Sequence, residues 1–68
     1  MPVTKQIYGW TEPQIEPGKD YVRYIMAFAA PDGIVISIRN AAGAENEITL
    51  SKTDAAQLAA TLLAASVY

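Results

Sequence analysis

The chain has 68 residues, five Lys or Arg against seven Asp or Glu, and neither Cys nor His. Disulfides, thiolate metal centres and cysteine nucleophiles are therefore excluded, and so are the commonest metal ligand and general base. A net charge of −2 argues against a general polyanion binder, and a domain this short is near the limit at which one core sustains a fold.

From the N-terminus, MPVTKQIYGW lacks the apolar stretch of a signal peptide, which sets the expectation of a cytoplasmic protein, in a cell or an infected host. Residues 4–10 predict a short strand. TEPQIEPG follows without periodicity, and Glu16-Pro17-Gly18-Lys19 has the residue order of a type II turn.

Residues 20–30, 34–40 and 44–50 are rich in Ile, Val, Tyr and Phe and predict three strands. Their connections, Ala30-Pro31-Asp32-Gly33-Ile34 and Asn40-Ala41-Ala42-Gly43-Ala44, both carry Gly where a three-residue hairpin loop takes its left-handed residue. Pairing Ala30 with Ile34 and Asn40 with Ala44 puts Tyr24, Met26, Phe28, Ile34, Ile36, Ile38, Ile48 and Leu50 on one face. The other face then holds Arg23, Ile25, Ala27, Ala29, Val35, Ser37, Arg39, Glu45, Glu47 and Thr49. Arg39 lies opposite Glu45, and Tyr8 or Trp10 is expected to cover Ala27, Ala29 and Val35.

Ser51 is a good N-cap, with Asp54 at the capping-box spacing, for a helix that runs to about Ser66. The expected fold is α+β: a three- or four-stranded antiparallel meander and one C-terminal helix across one face, in a single domain spanning residues 1–68. Residues 55–68, AAQLAATLLAASVY, contain no charge and are too short and Ala-rich to span a membrane. One helical stripe, Ala55, Leu58, Ala59, Leu62 and Ser66, seats the helix on the sheet. A second stripe, Ala56, Ala60, Leu63, Ala64 and Val67, lies roughly opposite. Alanines chosen for helix propensity would account for part of it; Leu63 and Val67 instead predict a homodimer with helix against helix.

Catalysis is not expected. Glu45 and Glu47 share an open strand face with no pocket implied, the serines have no base, and Asp32 belongs to a turn. No phosphate loop, metal-ligand spacing or cofactor motif appears. Tyr8 and Trp10, with Arg23 and Arg39, are the candidate partner-binding residues, because aromatics in such segments anchor interfaces; closure of a small core is the competing role for Trp10.

Asp20-Tyr21-Val22-Arg23, Gly33-Ile34-Val35-Ile36-Ser37-Ile38-Arg39 and Ile48-Thr49-Leu50-Ser51 leading into the helix loosely resemble the single-stranded-DNA-binding transcription cofactors of the positive cofactor four type. The resemblance covers the C-terminal two-thirds of the chain and rests on topology and alternation. It implies the fold and a dimer; separately, a single-strand binder would use Arg23, Arg39, Lys5 and the N-terminal aromatics as its stacking and phosphate surface. The chain departs from it in Glu45 and Glu47, where the family is basic, and in its apolar helix. The leading expectation is a small non-enzymatic homodimer that binds another protein, in the manner of accessory proteins or phage-encoded inhibitors. Single-strand binding is the alternative.

Overall fold

The computed structural model describes residues 4–67. Four strands, β1 (Lys5–Thr11), β2 (Tyr24–Ala30), β3 (Gly33–Arg39) and β4 (Glu45–Leu50), precede one helix, α1 (Lys52–Ala65). The strands form one antiparallel sheet in the order β1-β2-β3-β4, and α1 packs on it. This is the α+β meander expected, with the N-terminal strand included. β1 carries an irregularity between Gln6 and Tyr8, which inserts Ile7 as an extra residue opposite β2.

β2 starts at Tyr24, later than its apolar composition suggests. Residues 12–23 form the long connection, and side chains hold it in place. Its Glu16–Lys19 turn closes through the Lys19 N–H donating to the Glu16 carbonyl at 3.0 Å. The Tyr21 hydroxyl donates to the Ala41 carbonyl at 2.7 Å, and Lys19 Nζ reaches the same carbonyl at 3.2 Å. The connection is thereby clipped to the β3–β4 hairpin.

That hairpin has the expected three-residue loop. Gly43 has φ +84°, which only glycine adopts without strain. Asn40 Oδ1 accepts from the Ala42 and Ala44 amides at 2.9 and 3.1 Å. Register follows: Ile34 pairs with Leu50, Ile36 with Ile48 and Arg39 with Glu45.

The β2–β3 hairpin differs from expectation. Ala30 pairs with Gly33, not Ile34, so the loop is only Pro31 and Asp32. Gly33 is not left-handed; it is the first residue of β3. Glycine is needed there because a Cβ would drive into the Leu50 carbonyl, where the chain leaves β4.

A shift of one residue turns a whole strand over. Tyr24, Met26 and Phe28 therefore lie away from the helix, beside Arg39, Ser37 and Val35. Ile25, Ala27 and Ala29 come onto the helix side instead, beside Ile38, Ile36 and Ile34. The helix-side face carries small residues in its centre.

The helix begins immediately after β4. Ser51 Oγ accepts from the Asp54 amide at 3.1 Å, the N-cap that was expected. Only β3 and β4 lie close beneath it. On the stripe that faces the sheet, Leu58 is 40% and Leu62 61% exposed; Leu63 on the other stripe is 73% exposed, and Val67, past the helix end, 83%.

No hydrophobic side chain among the described residues is buried. The radius of gyration is 14.0 Å, where a compact domain of this length has about 11 Å. The accessible surface is 5343 Å², where a folded monomer of this mass exposes about 4,200 Å². The single chain is an open two-layer shape with an unfilled centre.

Gly33→Ala should destabilise the fold by about 1–3 kcal/mol, the usual cost of forcing a group into occupied space. Gly9→Ala meets only the tip of the Gln6 side chain and should cost much less. Urea unfolding of the two variants beside the parent checks the difference.

Candidate functional site

A gap opens between helix and sheet. It is an apolar groove of about 590 Å³. Ile7, Tyr8, Ala27, Ile34, Ile36 and Leu50 line its sheet side. Leu58, Leu62 and Ala55, Ala56 and Ala59 line its helix side, and Lys52 is the one charged neighbour. The groove exists because β2 offers Ala27 to the helix side, where the expected register would have offered Phe28 and Met26. Tyr8 stands beside Ala27, as anticipated, but remains 55% exposed and covers little.

The stripe that was expected to seat the helix, Ala55, Leu58, Ala59 and Leu62, thus forms a groove wall. Ser66 stands outside it, donating its hydroxyl to the Leu63 carbonyl at 2.7 Å. Of the five residues expected at a dimer interface, Ala56 lines the groove, whereas Ala60, Leu63, Ala64 and Val67 are exposed beyond it. The two stripes are not opposite. At 100° per residue their centres lie about 120° apart, and Ala56 joins them. Together they make one apolar arc around more than half of the helix.

Tyr8, Trp10, Arg23 and Arg39 are not brought together. Trp10 pairs with Ile25, and Ile25 with Ile38, in a row across three strands on the helix side. These three are 39%, 43% and 37% exposed. Arg39 belongs to the opposite face, where its guanidinium lies 5.0 Å from the centroid of the Tyr24 ring and pairs with Glu45. The cross-strand ion pair is therefore present as expected, and one pair along the same strands Ser37 Oγ donates to Glu47 Oε2 at 3.5 Å.

Arg23 is held at the end of the β1–β2 ladder. Its Nε lies 3.1 Å from Glu12 Oε1 and its backbone amide donates to the same oxygen at 2.8 Å. Hydrogen bonding from the Arg23 side chain, then from its amide, keeps the Glu12 carboxyl below the usual carboxylate range. Glu45 likewise raises the Arg39 guanidinium. Both arginines spend their charge within the chain.

Among the described residues no group of three or more His, Cys, Asp or Glu could hold a metal ion. No known protein family, curated protein or solved structure matches the chain.

Sequence reasoning placed Ile34, Ile36, Leu50, Leu58 and Leu62 in a core and so missed them as a site. Ile7 went unnoticed because a bulge carries no periodic signal of its own, and Ala27 was expected on the face away from the helix, where the observed register does not put it. The Ala27 and Ala29 parity of β2 was the available clue.

The folded carboxyl of Glu12 is depressed, so its contribution to stability is present above the ordinary carboxylate value and fades as pH falls through the lowered one. NMR titration should place Glu12 below an ordinary glutamate, and Arg23→Gln should return it upward.

Proposed function

We propose that the chain is a small non-enzymatic module that acts as a homodimer through its C-terminal helix and binds another protein. One observation carries the proposal: every large apolar side chain of the helix and of the sheet face beneath it remains accessible in the single chain. Burying Leu63 and Val67 would contribute about 1.5–3 kcal/mol each. No charged residue from Ala55 onward opposes that contact.

The Trp10–Ile25–Ile38 row supports a protein partner. It lies at the end of the sheet away from the helix start, and an exposed indole at the head of a row of two isoleucines is the composition of an interface anchor. The non-enzymatic reading draws on the side chains that are described, whose serines stand without a histidine beside them, Ser37 meeting the exposed Glu47 carboxylate. An accessory or inhibitor role of the phage type belongs to the same proposal.

Single-strand binding draws less support from the geometry. It needs cations beside the N-terminal aromatics, yet Arg39 lies on the face opposite Trp10, against Tyr24, and Arg23 is engaged by Glu12, which leaves Lys5 as the candidate cation on the Tyr8 and Trp10 face. No helix among the described residues is long and apolar enough to cross a membrane; the cytoplasmic setting belongs to the same proposal.

Light scattering at micromolar concentration should give twice the chain mass, with a melting temperature that rises with concentration. Leu63→Glu combined with Val67→Lys should give the single-chain mass and a lower melting temperature. An unchanged mass and melting temperature in the double variant would remove the helix from the interface. An oligothymidine titration at low salt should produce no salt-sensitive shift, and a clear one would favour the single-strand alternative.

A further inference from the structure

We infer that the groove is the seat of the partner's helix, so that the dimer's two cores are each assembled from both chains. This rests on the homodimer proposed above and specifies how the copies meet. Four strands at about 4.8 Å spacing make a face about 19 Å wide, while a helix with its side chains is about 10 Å across. The face therefore has room for two helices side by side. The chain's own helix stands over β3 and β4. The uncovered half lies over β1 and β2, where Ile7, Tyr8 and Ala27 border the groove.

The occupant has to be helical, uncharged, and apolar in two directions, since it faces the sheet below and a helix beside it. The chain's own helix has those properties. Its arc is apolar over more than half a turn, and no charge occurs after Asp54. Ala56 and Ala60 lie where the two helices would meet and permit close approach, while Leu63 and Val67 extend past the groove of their own chain to reach the partner's. The contact is reciprocal, each ridge entering the other groove, so a two-fold axis closes it without leaving a ridge or a groove over.

The area agrees. The chain exposes about 1,100 Å² more than a folded monomer of its mass, against the roughly 800 Å² that each partner buries in a standard interface.

Because the chain has no cysteine, engineered thiols report the arrangement directly. Isotope-labelled Ala27→Cys chain is mixed with unlabelled Leu63→Cys chain, refolded together, and oxidised with oxidised glutathione. The expected result is a mixed disulfide between positions 27 and 63, in excess over 63–63, identified by mass spectrometry. A Tyr8→Cys and Val67→Cys pair serves as the second test and should behave alike; circular dichroism of each variant verifies that it folds. Folded dimers that yield only 63–63 and 67–67 disulfides would overturn groove docking and leave the helix-paired dimer standing. A single-chain mass for the parent protein would overturn both.

Discussion

The helix has no linker. Leu50 ends β4, Ser51 caps, and Lys52 begins the helix, so its path is set by the corner at which β4 stops. From that corner it can lean over β3 and β4 and no farther. A four-stranded sheet with an apolar face needs a wider lid than this. The short junction, together with the small Ala27 on the face beneath, leaves the groove, the exposed leucines and no buried hydrophobic side chain among the described residues. Gly33 belongs to the same junction, because the Leu50 carbonyl occupies the space a side chain would need there.

The helix is built to tolerate contact on several sides. Thr61 donates its hydroxyl to the Gln57 carbonyl at 2.9 Å, and Ser66 treats the Leu63 carbonyl in the same way. Both polar groups are satisfied within the helix and ask nothing of a neighbour. The charged chemistry is elsewhere: Arg39 with Glu45 and Tyr24 on the opposite face, and Arg23 with Glu12 at the ladder end. The helix side of the sheet is largely apolar, whereas the opposite face mixes Tyr24, Met26, Phe28 and Val35 with the Arg39–Glu45 pair and Glu47.

Much of the architecture was readable before the structure. The strand order, the Asn40–Ala44 loop, the Ser51 cap and the Arg39–Glu45 pair depend on local rules with one clear answer. The β2–β3 hairpin had two answers. Pro31-Asp32-Gly33 fits a three-residue loop, and the large residues of β2 then gather on one face, which looks like a core. What decided otherwise is a contact from a distant part of the chain, the end of β4 crossing Gly33. The groove was unreadable for a related reason: it is made by what Ala27 does not fill, in a register that only the tertiary contact sets. The helix stripes were visible as apolar positions, but their junction at Ala56 emerged only with the groove.

The bulge at Gln6–Tyr8 matters for a different hazard. Outer strands of an open sheet can recruit further sheets edge to edge, and such growth has no natural end. β1 is irregular along its free edge, with Lys5 at its start, and β4 offers Glu45 and Glu47 to any strand that would lie beside it. Like charges would confront one another if two β4 edges aligned. Both outer strands thus carry features that discourage edge-to-edge pairing beside a broad exposed apolar face.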